Sequence, residues 1–473
     1  MIDTPSSLFA ADALLPTGWA RNVLLTWNAN GELTAVTPGS APPGSASSVG
    51  AELARGPVIP GLPNLHSHAF QRAFAGLTEY RGQNADGTHD SFWSWRTLMY
   101  RFAATLTPEQ VEAIATWLYI EMLEAGYTSV CEFHYVHHAQ DGRPYADDAT
   151  LSLALLCAAN KVGIGITLLP VLYQASGFGG TAPTAGQRRF VRSTDSMLKL
   201  LQRLQPVCAA QGARLGLAPH SLRAVAPEGL RDALSGLHAL DATAPVHIHI
   251  AEQTGEVDAC LAWSGQRPVE WLLNNTEVNA RWCLVHATHM TPTEYQRAAS
   301  SGAVAGICPS TEANLGDGIF DMPLWREHGG AWGLGSDSHA TVNAAEELML
   351  LEYGQRLQRR SRNVLADAAH AQVATAMLLQ ATAGGAQASG RAIAGLAVGQ
   401  RADLVELDAQ HLALAGLSAP DMLSAHVFAS HRSSAIARVW VGGSERIRSA
   451  AHVLHAQAAT EFIAARAQLL QSA

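Results

Sequence analysis

Much of what commonly marks a function is missing from this 473-residue chain. No run of about 18 uncharged apolar residues occurs, so no membrane-spanning helix is expected. Met1 to Leu15 has no basic stretch ahead of an apolar one, which argues against a secretory leader. Charged residues make up only 15%, and the net charge of −9 is spread along the chain, leaving no basic face for nucleic acid. The six cysteines (131, 157, 208, 260, 283 and 308) form no Cys-x-x-Cys pair. Most lie in apolar segments, as reduced, buried thiols of a cytoplasmic protein would. No Gly-x-Gly-x-x-Gly follows the first apolar strand, which disfavours a dinucleotide-binding sheet.

What is present is a regular alternation. The length exceeds what one core usually holds, so a large domain with a smaller companion is expected. Residues 1–56 read as short strands and turns, such as Asn22–Trp27 and Leu33–Val36 around an Asn30-Gly31 turn. From 57 to 385 strands alternate with helices. The clearest helix covers 107–125: Thr107 and Gln110 make a capping box, and Pro108 suits the first helical position. Val111, Ile114, Leu118 and Met122 give that helix an apolar stripe, and Gly126 ends it. With the opening stretch Val58–His68, the strand candidates are Thr128–Phe133, Ile164–Val171, Arg214–Ala218, Pro245–Ile250, Trp282–Val285, Ala303–Ile307 and Ala331–Leu334. Eight strand–helix units predict an α/β fold, a closed (β/α)8 TIM barrel. Residues 386–473 return to turns and strands (Leu404–Leu407, Ala437–Val441) and end in an amphipathic helix over 451–471. These strands are expected to join those of 1–56 in a small β-sandwich domain.

In such a barrel the C-terminal ends of the strands converge on one site. The first strand ends in His66-Ser67-His68, whose alternate residues point to one side. The fifth ends in His249 with Glu252 three residues on, the sixth in His286, and the eighth in Asp337. Three neutral imidazoles (His66, His68, His249) and the Asp337 carboxylate suit Zn2+, although Fe2+ or Mn2+ could use the same ligands. Such an ion brings a water's pKa toward about 7. Glu252 is then placed to shuttle a proton, His286 to hydrogen-bond the developing tetrahedral centre, and Asp337 both to ligate and to accept a proton. His247 reads as a core histidine and His289 as a helix-start residue, whereas His134 and His339 stay ambiguous.

The His-x-His, His-x-x-Glu, sixth-strand His and eighth-strand Ser-Asp together resemble the amidohydrolase superfamily in its mononuclear deaminase branch. No lysine ends the fourth strand, where dinuclear members carry a bridging carboxylated lysine; Pro219-His220 stands there instead. Longer segments resemble the formimidoylglutamate deiminases of histidine degradation: Asn64–Ala73, Glu132–Val136, Ala218–Val225, His249–Gln253 and Cys308–Asp317. This resemblance implies hydrolysis of N-formimino-L-glutamate to N-formyl-L-glutamate and ammonia, one zinc per subunit, and a homodimer. It also implies substrate contacts by Gln71, Arg96, Tyr135, His220 and Arg223. A dicarboxylate calls for guanidinium forks, which Arg223 after the fourth strand and Arg96 in the insertion 77–106 would supply. That insertion is read as a loop able to close over the barrel mouth. An aromatic-base or nucleoside deaminase of the same branch is the competing reading, and a metal-binding protein without activity is a third.

Overall fold

A computed structural model describes residues 6–43, 50–79, 92–430 and 434–472, and shows two sheets of nine strands each. Leu62–Ser67, Tyr127–His134 and Gly165–Leu172 are the first three barrel strands, and the fourth is split into Arg214–Leu215 and Ala218–Pro219. Val246–Ile250, Trp282–His286, Val304–Ile307 and Ala331–Leu334 are the fifth to eighth. All neighbours are parallel, and the eighth strand returns to the first through Leu334 opposite Asn64. The ring closes between the fourth and fifth strands, where Leu217 bridges Val246 and the His247 N–H donates to Leu217 O at 3.1 Å. The eight-stranded barrel is therefore as expected. Its strands are buried along almost their whole length because helices cover their outer faces, which is why they read as apolar runs rather than alternating ones.

The helix Pro108–Glu124 shows how local chemistry sets a boundary. Thr107 Oγ1 accepts from the Gln110 N–H at 3.3 Å, and Gln110 Oε1 accepts from the Thr107 N–H at 3.1 Å, closing the reciprocal cap. Its apolar stripe lies buried, as the spacing predicts.

The second sheet takes strands from both ends of the chain, in one hydrogen-bonded path where the sequence suggested a sandwich. Ser6–Leu15, which the sequence reading did not single out as a strand, pairs along its length with Gly18–Trp27. Val58–Pro60 pairs in turn with Leu404–Glu406. The stretch read as one strand from 58 to 68 thus serves two sheets, and the crossing falls at Gly61. There a β-carbon would lie 2.2 Å from the Thr128 side chain, so only glycine lets the chain pass. Among the described residues no helix is long and apolar enough to cross a membrane. All six cysteines are free; five are buried and Cys157 is exposed.

Candidate metal centre and substrate cavity

The first and eighth strand ends are laced together: the Asp337 N–H donates to His66 O at 3.0 Å and the His68 N–H to Asp337 O at 3.2 Å. This pairing sets Asp337 beside both histidines, with Oδ1 at 3.4 Å from His66 Nε2 and 3.3 Å from His68 Nε2. From the fifth strand, His249 Nε2 comes within 3.0 Å of His66 Nε2, which is itself 3.1 Å from His68 Nε2. Ligand atoms of His66, His68, His249 and Asp337 all lie within 4.8 Å of one another, and all four residues are buried. Several backbones here are left-handed without being glycine: Ala251 (φ 51°), His286 (φ 65°), Ala287 (φ 48°), Asp337 (φ 45°) and His339 (φ 59°). Each such residue costs on the order of 1–2 kcal/mol, strain that typically gathers where side chains are aimed at a site.

The donor chemistry fits a cation. His68 Nδ1 lies 2.9 Å from Phe133 O and His249 Nδ1 lies 3.1 Å from His220 O. Each Nδ1 must carry the proton, so both Nε2 atoms turn lone pairs toward the same point. His66 Nε2 stands 3.1 and 3.0 Å from these two lone pairs and can offer at most one N–H, so at least one close contact repels unless a positive charge stands between the rings. Burial first, then mutual repulsion, holds His66 and His249 well below the ordinary histidine range; burial also lowers His68, against the pull of Asp337. Neutral imidazoles with one carboxylate make a metal site.

Beside the quartet, His286 Nε2 is 3.7 Å from Glu252 Oε1 and 3.6 Å from Asp337 Oδ2. Its Nδ1 donates to Glu312 Oε1 at 3.2 Å, an oxygen that also accepts from the Cys308 N–H at 2.8 Å. Burial opposes a charge on His286, but Glu252, the bond to Glu312 and Asp337 outweigh it and push its pKa up to about 10. Burial raises Glu252 to about 7. A cation on the quartet acts on both in the opposite direction.

One cavity joins these groups to the expected substrate contacts. Its wall carries His68, His249, Glu252, His286 and Asp337 together with Gln71, Arg96, Tyr135, His220 and Arg223. Gln71 Nε2 donates to the Tyr135 hydroxyl at 2.8 Å, and Arg96 lies over the Tyr100 ring at 5.5 Å. Arg96 stands on a helix, Phe92–Thr105, where the sequence suggested a loop. Residues 80–91 of that insertion, including Tyr80 and Arg81 of the Glu79-Tyr80-Arg81 cluster, lie outside the described residues; Glu79 accepts from Asn314 Nδ2 at 2.8 Å.

Other histidines sort themselves out by their partners. His247 Nε2 meets Ala388 O at 2.8 Å, a buried core contact. His339 bonds Ser67 and Ser336 beneath the quartet. His134 is buried beside His137. His289 does not start a helix; Thr291 caps the next one, and the His289 carbonyl accepts from Arg267 at 2.6 Å. Sequence reasoning missed the support under the ligands. Glu132 accepts from Ser67 Oγ and the Ala69 N–H, both at 2.7 Å, and so pins the His66–His68 turn. It also missed Tyr100 and Tyr173, whose hydroxyls are bridged by Gln187 Nε2 at 3.2 and 2.6 Å. Those residues come from separate elements far apart in the chain, and no local spacing announces them.

A barrel with a two-ended side sheet and a His3Asp quartet at its strand ends defines a metal-dependent hydrolase, and the chain belongs to the amidohydrolase family, whose sequence model matches residues 58–446. A further model, described as Formimidoylglutamate deiminase HutF, N-terminal domain, matches residues 6–46. The chain is 51% identical over 465 residues to a formimidoylglutamate deiminase of Pseudomonas aeruginosa, covering 98% of this chain and 100% of that one. The crystal structure of an amidohydrolase from Brucella melitensis agrees with a TM-score of 0.90 at 44% identity, over 98% of this chain and 100% of that one. Atrazine chlorohydrolase TrzN from Arthrobacter aurescens TC1, solved with zinc, shares the fold at 18% identity with a TM-score of 0.82, over 97% and 100% of the two chains.

Proposed function

We propose that this protein hydrolyses N-formimino-L-glutamate to N-formyl-L-glutamate and ammonia. The observation that carries the reading is the shared cavity: two guanidinium groups, Arg96 and Arg223, line the same space as the metal quartet and Glu252. Near-full-length identity of 51% to a formimidoylglutamate deiminase supports it. A purine or pyrimidine substrate carries no carboxylate for either arginine, whereas a glutamate derivative offers each of them one.

His66, His68, His249 and Asp337 would hold the ion, and three imidazoles with one carboxylate suit Zn2+, with Fe2+ or Mn2+ sharing the same ligand preference. When bound, such an ion supplies Lewis acidity that makes water a nucleophile near neutral pH. The protein's own groups do the rest. Arg96 and Arg223 hold the carboxylates, while Gln71, Tyr135 and His220 shape the wall around the formimino carbon. Water adds to that carbon as Glu252 takes its proton, with Asp337 as a second acceptor. His286 Nε2, which faces both carboxylates, donates to the tetrahedral adduct. Glu252 then delivers the proton to the departing nitrogen, the C–N bond breaks, and ammonia leaves behind a formyl group. Turnover of formiminoglutamate measured as ammonia release, against guanine, cytosine and adenosine on metal-loaded protein, tests the reading; activity on a base and none on formiminoglutamate overturns it.

We also propose a homodimer, for which light scattering at about twice the 50.1 kDa chain mass is the check. Six unpaired cysteines support a reducing, cytoplasmic setting.

A further inference from the structure

At the end of the barrel away from the quartet, where the third and fourth strands begin, a second cavity lies against the side sheet. Its empty volume is about 600 Å³, close to the 580 Å³ of the substrate cavity, and Arg391, Arg401 and Arg446 all line it, with Gly163, Gly165 and Gly212. Three guanidinium groups share this space with few counter-charges. Among the described residues, the carboxylate paired with one of them is Asp403: its Oδ1 is 4.0 Å from Arg401 Nε and accepts from the Gly442 N–H at 2.7 Å. Two helices, Thr150–Val162 and Thr194–Ala210, end at the cavity, and their trailing carbonyls would repel an anion. One of those carbonyls is occupied, since His452 Nε2 meets Val162 O at 3.1 Å, and just past the other helix Arg391 Nη1 bonds Gly212 O at 3.1 Å.

Arg391 is thereby committed to backbone, and it bonds Ile166 O at 3.1 Å as well. Arg446 is not. Among the described residues it has no ion pair and no hydrogen bond, although its guanidinium lies over Gly163, where a β-carbon would come within 2.4 Å of Cζ. The Nε atoms of Arg391, Arg401 and Arg446 are all buried without a hydrogen-bond partner. A buried guanidinium donor left unpaired costs on the order of 1–3 kcal/mol, and three like charges lining one cavity repel one another unless an anion joins them.

We infer that this cavity binds a small multivalent oxyanion, held by Arg446 and Arg401 with Arg391 as fixed positive support. Planar guanidinium forks match phosphate and carboxylate oxygens alike. The site is independent of the proposed reaction, since its residues line no part of the substrate cavity.

Thermal unfolding of the full, metal-loaded chain tests this, titrated with inorganic phosphate and separately with citrate, at ionic strength matched with sodium chloride. The expected result is a saturable rise of roughly 1–3 °C in apparent Tm with at least one of the two. A rise with phosphate alone assigns a phosphate-type ligand, and one with citrate alone a polycarboxylate. Arg446→Met should abolish the rise and leave turnover of the proposed substrate unchanged; Arg446→Gln serves if the first variant folds poorly. Arg223→Met, altered in the other cavity, should keep the rise. No saturable shift with either anion, a shift that survives loss of Arg446, or one lost with Arg223 overturns the inference.

Discussion

Replacing Glu252 by Gln separates proton transfer from everything else the site does. The two side chains have the same shape, and Glu252 is only 6% exposed, so the change opens no cavity and moves little. Glu252 is not among the four residues of the quartet, so metal content should stay at the wild-type level. What disappears is an ionisable oxygen, and with it a base for water and an acid for the departing nitrogen. General acid–base groups contribute about 10²- to 10⁴-fold, so kcat should fall by that factor, or roughly 3–5 kcal/mol at about 1.4 kcal/mol per tenfold. The pH profile distinguishes this from a loss of packing. Burial raises Glu252 to about 7, so its active, ionised form is lost as pH falls through that value. Wild-type kcat/KM should therefore drop on the acid side, with a midpoint at about 7 or lower once a cation is near. The variant's residual activity should lack that limb. Ammonia release and metal analysis on the same preparation decide the matter: normal metal with normal turnover refutes the role, and a limb unchanged in the variant assigns the titration to another group.

Three further perturbations probe other parts of the site. Arg223→Met should raise KM for formiminoglutamate about 10- to 100-fold with a smaller change in kcat, because a charge-assisted bond to a carboxylate contributes about 1.5–3 kcal/mol; an unchanged KM removes it from the carboxylate site. Glu312→Gln keeps an acceptor for the Cys308 N–H at 2.8 Å but weakens the hold on His286 Nδ1, so kcat should fall roughly tenfold or more while KM stays close to wild type. Removal of metal with a chelator should abolish activity and lower Tm, since an ion that binds only the folded state stabilises it. Reloading with Zn2+, Fe2+ or Mn2+ in turn then ranks the ions by recovered turnover, and activity undiminished in metal-free protein refutes the metal's part in the reaction.

The features visible in the sequence are those whose physics is local or periodic. The strand-then-helix alternation and the Thr107–Gln110 cap depend on neighbours a few residues apart, and the structure shows both. Strand ends carrying His66, His68, His249, His286 and Asp337 could be gathered because barrel closure brings every such end to one mouth, whatever lies between them. What stayed hidden depends on contacts made only after closure. Glu132, 65 residues from Ser67, is an ordinary acidic residue in a buried strand until its oxygens meet the turn between two ligands. Likewise Glu312 sits 26 residues beyond His286, with no spacing to announce the pair. The strand Ser6–Leu15 was missed because alternation is weak there, and its partner Gly18–Trp27 reads as a strand only over its second half.

Arg96 shows why a side chain's role can be legible when its setting is not. Its charge type points to a carboxylate whatever element carries it, but the backbone between Leu77 and Leu106 offered no capped, periodic segment. The helix Phe92–Thr105 that holds it has neither acidic residues in its first turn nor basic ones in its last, so the usual dipole cues are absent. Its anchoring comes from tertiary contacts instead: Phe102 and Ala103 are buried in the core, and the Ala103 carbonyl takes a 2.5 Å bond from Arg189 Nη1. A helix held this way depends on its neighbours rather than on its own sequence. The helix that carries Arg96 to the cavity is thus tied to Arg189, in a loop 86 residues beyond that carbonyl.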